Sequence, residues 1–371
     1  MVPVPPSLPP MDIASRLGRL GPLLDGAGCD ALLVTNLTNI GYLTGFTGSA
    51  GLLLVTPASA LLLTDGRYAT QSGEQLAACG VGAEVFVGNV AEQQAALAKA
   101  VAVPRLGLEA GHATWGQERA YASLLGEGVA LVATDGLIET LRWVKDPGEL
   151  ARIEAAAGIA DAALASLLPQ LAELPTEREF GVELDFTMRR LGADDVSFET
   201  IVASGPNAAK PHARPSDRRI GEGELVVVDF GALVDGYHSD MTRTVCVGPP
   251  ATARLQEIVD VVAASQAAGV AAVRAGCAAR DVDEACRRMI TEAGFGEFFV
   301  HGTGHGVGLD IHEHPQLNQL ATASLEAGFV VTVEPGVYLP DEGGVRIEDS
   351  VVVLAGGSRR LTNAPKDLVI A

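Results

Sequence analysis

Two pairs of acidic residues sit inside apolar runs, where acids are least expected. Asp229 closes the run Glu224-Leu-Val-Val-Val-Asp229, Asp240 follows downstream, and Asp235-Gly236 between them supplies a hairpin turn. A turn centred between Val234 and Asp235 predicts that Asp229 lies opposite Asp240, with Cβ atoms roughly 5 Å apart. The construction returns further on. Val330-Val-Thr-Val-Glu334-Pro-Gly and Gly344-Val-Arg-Ile-Glu348-Asp flank a turn, and centring it on Asp341 sets Glu334 against Glu348. A lone acid in a strand usually occupies the solvent face. Four of them in two similarly built hairpins bring like charges together, which destabilises a sheet unless cations lie between.

A third segment, His301-Gly-Thr-Gly-His305-Gly-Val-Gly-Leu-Asp-Ile-His312-Glu-His314, holds four of the seven histidines. Its HxxxH spacing could share a helix face, but the interleaved glycines predict extended, closely packed backbone instead. Four carboxylates and one imidazole suit two hard or borderline divalent ions, whose charge they balance. A two-metal site generates a nucleophile from water and polarises a carbonyl, which is hydrolytic chemistry. Competing signatures fail. HExxH and GxxxxGK[ST] do not occur, and Asp229-Phe-Gly lacks the companions of a kinase triplet.

The bulk properties narrow the class. With 371 residues and 48% apolar content the chain can build two domains. A formal net charge of −20 argues against nucleic-acid and anionic-membrane partners and fits a solvated acidic surface. The five cysteines, Cys29, Cys79, Cys246, Cys277 and Cys286, are odd in number with no CxxC, so the expectation is a reduced, cytoplasmic protein. The proline-rich N-terminus lacks a basic and apolar leader pattern, Met11 could serve as an alternative start, and no apolar run suggests a membrane span.

These residues need scaffolding. Ile13, Leu17, Leu20 and Leu24 recur at helical spacing. Strands at 31–35, 51–56, 60–64 and 83–87 with a helix at 90–102 predict a small α/β domain over 1–143, of which 1–11 is a disordered lead-in. Asp146-Pro147-Gly148-Glu149 reads as an N-cap, a first-turn proline and a capping box, opening an Ala-rich helix to about Leu174. Helices at 177–191, 253–275 and 281–293 and strands at 223–232, 237–247, 329–339 and 345–354 complete an α+β domain over 147–371.

The segments VVVDFGA, GYHSDMTRT, HGTGHGVGLDIHE, TVEPGVY and GGVRIEDS resemble the pita-bread metallopeptidases, which include aminopeptidase P, prolidase and methionine aminopeptidase. The resemblance runs over nearly the whole chain. It implies a pita-bread catalytic domain behind a creatinase-like N-terminal domain, and a five-ligand set of Asp229, Asp240, His305, Glu334 and Glu348. The proline-specific branch is matched further by His212 in KPHARPSD and by His301, His312, Arg346 and Tyr338. By that resemblance, His212 and His301 bind substrate and the charge developing at the scissile bond. His312 positions the leaving side, Glu334 doubles as general acid and base, and Arg346 and Tyr338 support the site. Asn39–Gly51 and Thr64–Tyr68 are similar to the N-terminal domain of small bacterial aminopeptidases P. There Arg67 fits either a structural ion pair or a place near the substrate or a subunit contact.

The expected activity is that of an Xaa-Pro aminopeptidase using two divalent ions, manganese first, with cobalt or zinc as substitutes. Its substrate is a peptide with proline at the second position, and the resemblance suggests a homodimer. The nearest alternative is an Xaa-Pro dipeptidase, restricted by a group that closes the leaving side. A more remote one is a non-catalytic pita-bread binding protein, which would be expected to lack a ligand.

Overall fold

The computed structural model describes residues 7–366 and 369–370. The described chain divides between Arg142 and Trp143 into two compact units, residues 7–10 belonging with the C-terminal one.

In the unit Met11–Arg142, one six-stranded mixed sheet runs in the order Glu84–Val87, Ala60–Thr64, Leu52–Val55, Ala31–Val34, Arg105–Glu109, Ala130–Thr134. The continuous runs ALLV and LLLV are almost wholly buried because helices cover the sheet, as unbroken apolar strands require. Helices Leu37–Thr44, Gln71–Ala78, Trp115–Leu125 and Leu137–Arg142 were not expected, and the first of them bears on the N-terminal motif. Its cap is Asn36, whose side chain accepts from Thr38 N, and it stops at Gly45 in the left-handed region (φ 76°). Asn39 in this helix is structural. Its Nδ2 donates to Glu109 Oε1 (2.7 Å) and Glu139 Oε1 (2.6 Å), and its Oδ1 accepts from Arg142 (2.9 Å). Arg67 forms an exposed ion pair with Asp65 at 2.8 Å.

The C-terminal unit is α+β. The expected capping box is present: Asp146 Oδ1 accepts from Glu149 N at 2.9 Å and Glu149 Oε2 from Asp146 N at 2.8 Å. The α-helix spans Pro147–Leu167 and tightens to a 3-10 turn over Leu168–Glu173, because Pro169 has no N–H to continue it. By length and composition Pro147–Glu173 could cross a membrane, a correction to the sequence reading. Leucine, isoleucine and alanine together supply that hydropathy, and Ile153, Ala156, Ala160, Ala163 and Leu167 are buried in the protein core. Of the N-terminal stretch expected to be disordered, residues 1–6 lie outside the described residues. Residues 7–11 are tied down in part, since Pro9 O accepts from Arg152 at 2.9 Å.

Helices Pro147–Leu167 and Glu177–Arg190 share one core with the four-stranded sheet Val369–Ile370, Met241–Val247, Leu225–Phe230, Ile201–Ser204. Helices Ala253–Ala272 and Ala279–Glu292 share another with the five-stranded sheet Glu313–Leu317, Gly304–Gly306, Val330–Val333, Asp349–Leu354, Gly357–Arg360. The expected strands 329–339 and 345–354 each break in two. Val330–Val333 pairs with Asp349–Leu354 in that sheet, while Gly336–Leu339 and Gly343–Arg346 form a separate two-stranded hairpin. The breaks fall at Glu334-Pro335 and Ile347-Glu348.

Candidate active site and metal centre

Strand Leu225–Phe230 is buried except at Asp229, which is half-buried. The turn behind it has both central residues at positive φ, Asp235 (48°) and Gly236 (81°), as a type I′ hairpin requires. The turn is therefore centred between those two, one residue later than expected. The pairing shifts by two: Asp229 faces Thr242, and Asp240 is its diagonal neighbour rather than its direct partner. A shift of two keeps side chains on the same face, so both acids still point the same way. At Gly231 the strands come so close that a Cβ would meet Ser239 O at 1.9 Å.

The second expected opposition holds in register. Val333 pairs with Asp349 and Gly336 with Arg346, which leaves Glu334 facing Glu348 where the ladder passes between sheets. The glycine-rich segment is extended, as expected, at Gly304–Gly306 and bends over 308–312; it is pressed against its neighbours, since a Cβ at Gly304 would meet Thr332 O at 2.1 Å. The backbone N of His305 donates to Thr332 Oγ1 (3.0 Å). Its ring Nδ1 lies 3.0 Å from Gly306 O, so Nδ1 carries the proton and Nε2 keeps its lone pair for a ligand.

The five groups converge. Asp229, Asp240 and Glu348 each place an oxygen within 4.8 Å of the others. His305 Nε2 lies 3.5 Å from Asp240 Oδ2 and 3.3 Å from Glu334 Oε1. Burial first, and then the neighbouring carboxylates, hold Asp240 and Glu348 well above the usual carboxylate range. Burial also pushes Glu334 up to about 8. The decisive detail is that Asp229 Oδ1 and Glu348 Oε1 are buried with no hydrogen-bond partner. Buried carboxylate oxygens are costly unless something satisfies them. Oxygens left open beside clustered acids and an imidazole lone pair fit divalent cations, and the residues present therefore suit a dinuclear metal site.

Around the acids runs a second set of contacts. Arg346 donates Nη2 to Asp229 Oδ2 (2.6 Å), Nη1 to Tyr338 OH (2.8 Å) and to Pro211 O (3.2 Å), and Nε to Thr242 Oγ1 (3.1 Å). Burial would lower the pKa of Arg346, but Tyr338, Asp229 and Glu334 outweigh it and hold the guanidinium charged. Tyr338 OH lies 2.8 Å from His301 Nε2, and His301 Nδ1 lies 2.7 Å from Gly302 O. With Nδ1 donating to that carbonyl, Tyr338 donates to Nε2, giving a directed chain Arg346 → Tyr338 → His301. Both His301 nitrogens are thus engaged within the protein, so no ring nitrogen is left for direct substrate binding, and burial pulls its pKa down to about 4.

A cleft of about 580 Å³ opens over the acids. His212, His301 and His312 all line it. His212 and His312 are exposed, and the His312 ring stands edge-on to that of His305 at 4.4 Å. Tyr338 sits behind the lining, 4% exposed. Sequence reasoning missed the hydroxyls that orient the acids. Thr242 Oγ1 donates to Glu348 Oε2 (2.7 Å) and Thr332 Oγ1 to Glu334 Oε1 (3.2 Å). Their signal was a buried threonine two residues from an acid on the same strand face, at Asp240/Thr242 and Thr332/Glu334.

Comparison with known proteins agrees with this geometry. Residues 151–355 match the model of metallopeptidase family M24, and residues 16–144 match that of the creatinase/prolidase N-terminal domain. A Bacillus subtilis protein named uncharacterized peptidase YqhT is 41% identical over 357 residues, 96% of this chain and 99% of that one. An Xaa-Pro dipeptidase structure from Bacillus anthracis superposes with a TM-score of 0.91 at 39% identity, over 97% of this chain and all of that one. An X-Pro aminopeptidase structure from Thermotoga maritima does so with a TM-score of 0.86 at 34% identity, over 96% and 100%.

Proposed function

We propose a specific activity for this chain, which belongs to metallopeptidase family M24: it hydrolyses the bond between an N-terminal residue and a following proline. Two divalent ions would be held by Asp229, Asp240, His305, Glu334 and Glu348. The observation that carries this reading is the pair of buried, unpartnered carboxylate oxygens, Asp229 Oδ1 and Glu348 Oε1. Bound there, the ions supply a nucleophile from water and polarise the scissile carbonyl. Manganese is our first choice, and a carboxylate-rich site with one histidine also accommodates cobalt or zinc.

The chain's own residues do the rest. Glu334, oriented by Thr332, takes a proton from the attacking water and returns it to the leaving nitrogen. That return is needed because the nitrogen keeps the bonding pair when the C–N bond breaks and leaves as an amine only once protonated. His212 and His312 present imidazoles from the cleft wall to the substrate. Arg346 and Tyr338 hold Asp229 and His301 in place, so His301 acts through the wall it builds. Phe198, Ile201, Pro211 and Ile311 give the cleft an apolar side suited to a pyrrolidine ring. Proline specificity also draws on the names borne by the Bacillus anthracis and Thermotoga maritima relatives.

Those names divide between dipeptidase and aminopeptidase. We favour the aminopeptidase for a physical reason. A strict dipeptidase needs a cation to meet the free carboxylate. Of the two arginines that line the cleft, Arg346 is committed to Asp229 and Tyr338. The other, Arg214, is 81% exposed and paired with Glu199 at 3.1 Å, leaving that end of the cleft open. The dipeptidase remains the second reading, on the strength of the Bacillus anthracis likeness. Five unpaired cysteines support a reducing, cytoplasmic setting, and a homodimer is proposed by resemblance alone. The test is direct: chelation should abolish hydrolysis and added Mn²⁺ restore it, with Xaa-Pro-Yaa tripeptides cleaved at least as well as Xaa-Pro dipeptides. Turnover of dipeptides alone selects the second reading, and full activity under chelation removes both.

A further inference from the structure

The residues that bring His212 to the cleft have little regular structure of their own. Between strand Ile201–Ser204 and residue 216 there is one 3-10 turn, Gly205–Ala209, and then an irregular stretch carrying Pro211, His212, Ala213 and Arg214 to the cleft wall. Something outside the segment must fix it.

Arg346 Nη1 holds Pro211 O at 3.2 Å, and the two ends of the segment are held by a carboxylate. Glu177 is the first residue of helix Glu177–Arg190 and is 0% exposed. Its Oε1 accepts from Ser204 N (2.8 Å) and Ser204 Oγ (2.9 Å). Its Oε2 accepts from Ser216 N (3.1 Å) and Ser216 Oγ (2.6 Å). Asn207 Nδ2 lies 3.1 Å from both oxygens. One buried anion therefore gathers donors from the start, the middle and the end of the segment, and the helix N-terminus beneath it favours the negative charge. Buried charges persist only where every lone pair is satisfied, and here the satisfying groups are the segment's own anchors.

We infer that Glu177 is a positioning residue for His212: it staples residues 204 and 216 together and so sets where the imidazole stands in the cleft. The inference rests on the reading of His212 as a substrate-binding group. It separates cleanly from the metal site, because Glu177 makes none of its hydrogen bonds to the four acids and the imidazole or to the strands that bear them. Glutamine at 177 keeps the shape but turns an NH₂ group toward inward-pointing N–H and O–H donors, so one end of the staple opens.

The experiment is a double-mutant cycle of Glu177→Gln with His212→Ala, read as kcat/KM on a chromogenic Xaa-Pro substrate, with metal content measured in parallel. Glu177→Gln alone should lower kcat/KM by about 10- to 100-fold, as loss of a supporting contact does, with metal content unchanged. In the His212→Ala background the same change should cost little further, because the group it positions is gone. Equal factors in both backgrounds would overturn the positioning role while leaving His212 as a binding group. Full activity of His212→Ala alone would overturn the reading of His212 and this inference with it. Ser216→Ala, which removes one donor and leaves the anion in place, guards against misfolding of the glutamine variant. It should show a smaller loss with the same non-additivity, and a loss that multiplies with His212→Ala would overturn the proposal.

Discussion

Lys145 and Glu313 form a buried ion pair at 2.9 Å, with side chains 2% and 6% exposed. Glu313 follows His312, and its Oε1 also accepts from Leu309 N (3.0 Å) and Asp310 N (3.2 Å), closing the loop that delivers His312 to the cleft. Lys145→Met keeps the length and apolar stem of the lysine and removes its charge. Glu313 then loses its lysine while staying buried. Removing one partner of a buried pair costs roughly 3–5 kcal/mol, and the donors that stay on Glu313, Leu309 N and Asp310 N among them, place this case near the lower figure. At 2–4 °C per kcal/mol for a unit of this size, Tm should fall by roughly 6–12 °C. The unit carries its own reporter in Trp143, which packs on Phe329 and His314 with ring centroids 6.0 Å away, and Trp115→Phe removes the other tryptophan from the signal. Urea titration followed at Trp143 gives the free energy. Adding Glu313→Gln should restore most of it, because the buried charge is gone. A loss under about 1 kcal/mol, the scale of an exposed pair, would refute the reasoning.

Other outcomes follow from the site itself. Asp240→Asn should lower the bound-metal stoichiometry and cut kcat/KM at least 100-fold, about the upper end of what loss of a supporting contact alone would do; undiminished activity would sink the ligand assignment. His301 titrates near 4, below its usual 6.5, because burial disfavours the imidazolium. Its contribution to stability is therefore fully present above pH 6.5 and is lost as pH falls through 4, on the order of 3 kcal/mol over that window. His301→Phe should flatten the acid limb of the urea midpoint between pH 6.5 and 4, and an unchanged slope would contradict the assignment.

What the sequence disclosed depended on how local the cause was. The turn residues Asp235-Gly236 and Asp341 and the capping box at Asp146 are local patterns and appear where they were read, whereas of the four acids only Asp229 lies inside a strand and Asp240, Glu334 and Glu348 fall at strand ends. Register was harder. Asp235 and Gly236 both adopt positive φ, and that choice of turn moved the pairing of Asp229 from Asp240 to Thr242. The break of the long strands at Pro335 was also hidden, since a proline can end a strand or sit at its edge, and only the neighbouring sheet decides. Helix Leu37–Thr44 was obscured by its own glycine at 41 and by a cap that looks like turn chemistry. Glu177 had no signal at all, because its partners at 204, 207 and 216 are brought to it by the fold.

The two hairpins make the site intolerant of changes in length at places far from the cleft. In a paired strand, parity decides which way a side chain points, so it behaves as a switch with two settings. One residue inserted at Asp235-Gly236, or between Leu339 and Gly343, would turn a ligand away from its partners in a single step. Replacing an exposed residue such as Glu342 alters composition without touching that count. Variation in this protein should therefore run freely through the identities of its turn residues, wherever φ permits, and hardly at all through their number.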